Sequence, residues 1–337
     1  MANIKDIAEH LGISISTVSK SLNNATDVSD ETKEKVLNAA LELGYSPKRK
    51  KNNGISGFER KVCIFIENMD YTNNDQFGYD LIKGFRQAAE LKHWQVDIVP
   101  AQLHALTSRS YDYDMFMLTN NYSGGFVISV SMHNDYNMQY SKTSVPTVLF
   151  DNYVVGNSKV GYVGSDATEG FSLAVEHLFK LGHKRIAFLN GAKNAFVSSQ
   201  RTEAFRRAMK SFGLYADSNL IESGYYVPDC AKYHVPKFLD HGATAIICAS
   251  DIIALGAISE VQKRGLKVPE DVSIIGFDDL PLCINVSPTI TTIRQDRLNL
   301  GKSAVNLLDS LINNIPVSRT ILRCELIPRE STTNFLK

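Results

Sequence analysis

The stretch that opens after Ser14 turns Ile15, Ser16, Ser19 and Lys20 to one side of a helix, while Val18 and Leu22 share the other at an i, i+4 spacing. Small hydroxylated side chains let a backbone approach a polyanion and donate to its phosphates, and a lysine among them reaches guanine acceptors. One such base contact is worth about 1–3 kcal/mol of discrimination. A second set of polar residues stands at the ends of apolar, strand-like runs: Ser129, Asp151, Asn190, Ser250-Asp251 and Asp278-Asp279. In doubly wound sheets a ligand lies beyond the carboxyl ends of the strands, so these groups are candidates to hold one; polar strand ends are also ordinary turn chemistry, and their convergence is the stronger argument. The sequence carries no phosphate-binding G-x-x-x-x-G-K-[ST] loop, no G-x-S-x-G elbow and no H-E-x-x-H pair, so the chemistry in view is binding.

The elements that must position the first set read clearly. Asn3 caps a helix over about 3–11, with Asp6 three residues on and Ile4, Ile7, Ala8 and Leu11 as its apolar stripe. Gly12 permits a tight turn, Ile13 plugs the junction, and Ser14 caps the second helix. A third helix starts at Ser29, buries Val36, Ala40 and Leu43, and ends at Gly44. Helix, glycine turn, helix and supporting helix is the geometry that presents a recognition helix to the major groove.

Hydrophobic residues make up 44% of the 337 positions and charged residues 21%, the balance of a globular chain of two or three compact units. The net charge of +0 excludes polyanion binding by bulk charge, so any nucleic-acid contact needs a local basic surface. Lys48-Arg49-Lys50-Lys51 supplies one, and the Asn52-Asn53-Gly54 that follows reads as a flexible linker. The five cysteines have no metal-ligand spacing; Cys63, Cys248 and Cys324 read as small buried thiols, and a reducing cytoplasm is expected. No metal or cofactor is expected. The N-terminus enters a helical pattern without an apolar leader, and no apolar run reaches 18 residues, so neither export nor a membrane span is expected.

From Val62 onward, continuous apolar runs alternate with amphipathic helices: Val62–Ile66, Gly125–Val130, Val145–Asp151, Arg185–Asn190, Ala245–Ser250 and Ser273–Asp278, with helices over about 79–92 and 297–311. Runs of this kind indicate parallel strands covered on both faces, and their number calls for two doubly wound lobes.

Ile4-Lys5-Asp6-Ile7-Ala8 through Ser14-Ile15-Ser16-Thr17-Val18-Ser19-Lys20-Ser21-Leu22-Asn23, with Val28-Ser29 and Gly44-Tyr45-Ser46-Pro47, resembles the headpiece of the lactose/galactose-repressor family. The likeness continues through Glu176-His177-Leu178 with Leu181-Gly182-His183-Lys184-Arg185, Ser250-Asp251, Val272 to Asp279 and Thr291 to Asp296. It also takes in Val145 to Asp151, similar to the family's first crossover strand. The resemblance implies an α/β fold: an N-terminal three-helix helix-turn-helix domain followed by a two-lobed, doubly wound parallel-sheet domain like that of periplasmic binding proteins. The implied parts are a headpiece at 1–46, a basic linker or hinge at 47–60 and an effector-binding and dimerisation domain at 61–337. Its lobes are expected at about 61–163 with 293–325 and about 164–292 with 326–337, joined by three crossings of the chain.

By that resemblance the DNA-binding residues are Ser14, Ile15, Ser16, Thr17, Ser19, Lys20 and Asn23, joined by Lys48 and Arg49 of the linker. Gly54 falls where the family has a leucine wedged into the minor groove, so the linker is expected to bind electrostatically and kink DNA weakly, unless Ile55 takes the wedge role. The effector, bound between the lobes, is expected on Phe77, Tyr79, Ser129 and Asp151 of the first lobe and on Arg201, Tyr226, Ser250 and Asp278 of the second. Asp278 is implied as a hydroxyl-binding carboxylate with Arg201 as its partner across the cleft, and His183 as a structural helix-end residue. Carboxylates with an arginine suit a polyhydroxylated ligand, and a ring such as Phe77 covers a sugar's apolar face.

The implied function is a cytoplasmic, allosteric repressor, a homodimer on a palindromic operator in double-stranded DNA, controlled by a sugar or sugar derivative. A purine, a phosphosugar or no ligand at all remains the alternative, and a sugar-binding receptor or an enzyme the more distant one.

Overall fold

A computed structural model of the chain describes residues 2–23, 25–45, 59–67, 69–100, 113–128 and 139–335. Its N-terminal helices follow from their caps. Asn3 accepts from the Lys5 amide at 2.7 Å, and Asp6 accepts from the Asn3 amide at 2.7 Å, closing a reciprocal box on α1 (Ile4–Leu11). Gly12 takes φ 64°, the left-handed turn an L side chain resists, and delivers the chain into α2 (Ile15–Leu22). The Thr17 amide donates to Ser14 Oγ at 3.0 Å to cap that helix. The third helix, α3 (Asp30–Glu42), has its acidic pair at the positive end and packs Val36 and Ala40 on Ile7 and Val18, all four fully buried.

The chain divides into two compact units, one of residues 1–69, 81–163 and 298–320, the other of 70–80, 164–297 and 321–337. The first holds a six-stranded sheet built from β1 (Arg60–Ile66), β2 (Trp94–Pro100), β3 (Gly125–Ile128), β4 (Thr147–Phe150), β5 (Val160–Ser165) and β11 (Arg319–Leu322). Its order is β11-β5-β4-β3-β1-β2, and the β2-to-β5 ladder is parallel. Helix α5 (Tyr113–Thr119) covers it with Tyr113 and Met117 packed on Phe65 and Leu149. Helix α4 (Phe77–Leu91) stacks Phe85 on Phe126 at 5.1 Å and meets α10 (Arg297–Ile312) where two glycines face backbone. A Cβ on Gly84 would lie 1.9 Å from the Leu298 carbonyl oxygen, and one on Gly301 2.0 Å from that of Leu81.

The second unit repeats the plan. Its sheet runs β12-β10-β9-β8-β6-β7, from β6 (Ile186–Asn190), β7 (Ile221–Ser223), β8 (Ala245–Cys248), β9 (Ser273–Asp278), β10 (Thr291–Gln295) and β12 (Cys324–Ile327), the last antiparallel. Helices α6 (Ala167–Lys180), α7 (Phe196–Ser211), α8 (Ala231–Asp240) and α9 (Asp251–Lys263) accompany it, with Phe171, Phe188, Phe205 and Phe277 as the aromatic centre of the core. All five cysteines are buried.

The two sheets fulfil the doubly wound expectation, but several boundaries differ from it. The last excursion into the first unit spans 298–320 rather than 293–325, because β10 and β12 pair with each other inside the second sheet. Residues 70–80 group with the second unit, taking Phe77 and Tyr79 out of the first. The run 145–151 supplies β4, internal to the first sheet; the chain leaves that unit only after Val163. Arg201, on α7, and Asp278, closing β9, both belong to the second unit, the lobe expected to supply them.

His183 is the structural residue expected. At 2% exposure, its Nδ1 hydrogen bonds Thr244 Oγ1 at 2.9 Å and its Nε2 donates to the Thr333 carbonyl at 3.1 Å, tying α6's exit to the C-terminal segment. Burial holds its pKa below the ordinary 6.5, so the folded state favours the neutral ring. The sign follows: the unfolded ring takes a proton more readily, so His183's contribution is complete above pH 6.5 and is lost as pH falls through the folded value. We expect His183→Ala to cost about 2–4 kcal/mol at pH 7.5. The loss should narrow at pH 5.5 in thermal melts; a variant melting like the parent at both pH values would remove the role.

Candidate functional site

The recognition face stands as the periodicity requires. Ile15 is 48% exposed, an uncompensated cost for a β-branched apolar side chain on a short helix, and Ser16 and Lys20 are exposed beside it. Ser14 and Thr17 are bound to each other, Oγ to Oγ1 at 2.8 Å, so they shape the helix start as well as offering hydroxyls. Asn23 closes the helix, its Nδ2 donating to the Ser19 carbonyl at 2.6 Å. Lys20 is not idle: its ammonium donates to the Asp27 carboxylate, which holds the Asp27 pKa below its ordinary value. Sequence reading missed Asp27, seven residues from its partner and beyond the helix. Lys48, Arg49, Gly54 and Ile55 lie outside the described residues, and so does Ser129.

In the second unit the strand order reverses between β6 and β8, and the polar residues gather at the carboxyl ends there, as the topology dictates. Asn190 closes β6, and its Nδ2 reaches the Ser198 carbonyl at 2.8 Å and Thr202 Oγ1 at 2.9 Å. The Tyr226 ring lies against Gly191, where a Cβ would fall 2.2 Å from Cζ, so the glycine makes room for the aromatic wall. Arg201 is 5% exposed; its Nη1 donates to the Ala249 carbonyl and its guanidinium sits 4.3 Å over the Phe277 ring. Ser250 is committed in part, since its Oγ accepts from the Ile253 amide at 3.2 Å as the cap of α9.

Asp278, 7% exposed, accepts from Gln295 Nε2 at 2.6 Å. Its φ of 116° and the 55° of Asp279 are consecutive left-handed values at non-glycine residues, strain of the kind found at ligand clamps. Asp251 holds that turn: it accepts from the Leu280 amide at 2.7 Å and from Thr292 Oγ1 at 2.5 Å while fully buried. Burial, reinforced by the Asp278 carboxylate, pushes the Asp251 pKa up to about 8. Gly276 is required beneath it, because a Cβ would come within 2.2 Å of Asp251 Oδ1.

Phe77 and Tyr79 are half-buried on the first turn of α4, and Asp151 is half-buried beyond β4 in the first unit with φ 53°. Arg297, which the sequence presented only as the start of a core helix, is 8% exposed, with Nη2 3.2 Å from Asp80 Oδ2 and its guanidinium 5.8 Å from the Phe77 ring centroid. Its Nη1 and the Ser198 hydroxyl are buried with no hydrogen-bond partner among the described residues. A buried donor left unmade costs about 1–3 kcal/mol, more for a charged group, so each marks a place where a bound oxygen would be favoured.

Residues 3–48 match the bacterial regulatory proteins of the lacI family, and residues 175–332 match a periplasmic binding protein-like domain. The chain is 28% identical to the transcriptional repressor PurR of Haemophilus influenzae over the whole of both chains. It is also 28% identical to the repressor CytR of Escherichia coli, over 98% of this chain and 96% of that one. Among solved structures, the regulator CelR in complex with cellobiose superposes with a TM-score of 0.71 at 24% identity, over 98% of this chain and 100% of the other. The lac repressor dimer bound to operator and an anti-inducer gives 0.69 at 23% identity, over 98% and 99%. Among the described residues no helix is long and apolar enough to cross a membrane.

Proposed function

This chain belongs to the lacI family of bacterial regulatory proteins, and from that premise we propose that it represses transcription as a dimer whose operator affinity is set by a small polyhydroxylated effector held at the carboxyl ends of the second sheet. The observation that carries the DNA-binding half is the exposed Ile15-Ser16 and Lys20 face of α2, raised on a glycine-turned three-helix core. Ile15, Ser16 and Lys20 read base edges, Ser14, Thr17, Ser19 and Asn23 position the helix on the backbone, and Lys48 and Arg49 add phosphate attraction. The effector half rests on Arg201, Tyr226 and Asp278 gathering at one sheet end, with Asn190 and Ser250 beside them. The protein acts in the cytoplasm, where its DNA is, and binds its ligand without turning it over. Moving such a repressor from 1:99 to 99:1 needs about 5.5 kcal/mol of differential ligand affinity.

Selection of operators from random duplexes by the full chain, followed by binding at several salt concentrations, tests this. A palindromic consensus is expected. Lys20→Ala should weaken binding to it by about 10–100-fold and relax one base position. Asp27→Asn should tighten binding, because DNA no longer competes with that carboxylate for Lys20. Selection returning no consensus would remove the reading.

A further inference from the structure

We propose that the effector carries an oxyanion, a carboxylate or phosphate on a sugar skeleton, and that Arg297 is the residue that binds it. The inference rests on the effector-site reading above and adds the ligand's charge to it. Arg297 is a cation more than nine-tenths buried, and one of its guanidinium nitrogens, Nη1, has no partner among the described residues. Its one ion pair among the described residues is long, 3.2 Å from Nη2 to Asp80 Oδ2, and goes to a carboxylate whose side chain is 34% exposed. Asp80 is therefore open to solvent in part, and Nη1, on the buried side of the guanidinium, meets no acceptor among the described residues. A neutral hydroxyl would use one N–H of the fork, whereas a carboxylate or phosphate accepts two in parallel.

The surroundings point the same way. Arg297 is the first residue of a 16-residue helix, whose positive end favours an anion. Two residues earlier, Gln295 donates to Asp278, so one short segment leads from the hydroxyl-binding carboxylate to the arginine. Phe77 stands 5.8 Å from the guanidinium, an apolar surface for the ring that joins hydroxyls to acid. Asp278 would repel the acid group at its own position and thereby fixes the ligand's direction: hydroxyls toward Asp278, oxyanion toward Arg297. Asp251 adds little repulsion, because it keeps its proton at neutral pH.

Calorimetric titration of the full chain tests this with glucuronate, galacturonate, gluconate, glucose 6-phosphate and fructose 1-phosphate, each beside glucose, galactose or fructose as its neutral parent. An acidic member should bind at least about tenfold more tightly than its parent, and Arg297→Gln should remove that margin while leaving the parent's affinity within about threefold. Arg297→Gln removes a buried cation and leaves a partly hydrated carboxylate, so the fold is retained. Arg297→Lys separates the sources: a point charge restores phosphate binding, whereas a carboxylate held by the fork is not restored. A neutral parent that binds as well as its acid, with binding lost in Asp278→Ala, overturns the oxyanion and leaves the effector site standing. An acid whose binding ignores both Arg297→Gln and Asp278→Ala overturns both readings. No response to any acidic member overturns the inference.

Discussion

Asp278→Asn is expected to produce a protein that is more stable than the parent and weaker in binding its effector. Asp251 is raised from 3.8 to about 8 by burial and by the Asp278 charge, so between those pH values the folded chain binds a proton that the unfolded chain does not. Stability therefore falls as pH rises through that window and levels off above it. Removing the Asp278 charge lowers the Asp251 pKa and recovers part of that loss. Asparagine also tolerates the left-handed backbone that position 278 demands better than most residues. We expect a gain of about 1–2 kcal/mol near pH 8, a rise of roughly 2–8 °C in the unfolding midpoint, and a smaller gain at pH 5. Effector affinity should fall about 10–100-fold, the worth of one charge-assisted hydrogen bond. Scanning calorimetry at both pH values decides it. An asparagine variant that melts below the parent at pH 8 would mean that Asp278 stabilises the fold instead of straining it.

The other large effect lies in the first unit. Gly84→Val and Gly301→Val each drive a side chain into a carbonyl oxygen of the facing helix, and a backbone atom cannot swing aside as a side chain can. The helices must separate, and with them the packing of Leu81, Phe85 and Leu300. Each substitution should cost at least about 4 kcal/mol and leave the chain aggregating or unfolded in its first unit. Asn306→Ala, exposed on the same helix, should stay within about 0.5 kcal/mol of the parent. Urea unfolding of the three variants checks this, and a folded Gly301→Val would mean that α4 and α10 do not meet at the glycine.

Which parts could be read from residues alone depended on where each element lies in its sheet. The runs 62–66, 125–128 and 273–278 are internal strands, buried on both sides, and announced themselves as unbroken apolar stretches. Strand β2, at the sheet edge, alternates Trp94, Val96 and Ile98 with Gln95 and Asp97, and β11, at the other edge, alternates exposed with half-buried residues; neither carries that signal. The caps at Asn3 and Ser14 were legible because the partner is three residues away or fewer. Asp27, Asp251 and Arg297 were not, since their roles arise from partners at separations of 7, 41 and 217 residues. Resemblance supplied Arg201 and Asp278, but only packing shows Tyr226 against Gly191 and Arg201 over Phe277.

The dispersal of each unit along the chain has a consequence for synthesis. Ser331 is fully buried, its Oγ donates to the Ile274 carbonyl at 2.6 Å, and the Phe335 amide donates to the Leu181 carbonyl at 2.7 Å. The second sheet is thus completed by residues translated well after its other strands, while the headpiece core draws on residues up to Tyr45 and, beyond them, only on Leu118 among the described residues. A nascent chain stalled near residue 320 would expose a DNA-reading module on an unfinished regulator, with the unpaired edge of β10 open to aggregation.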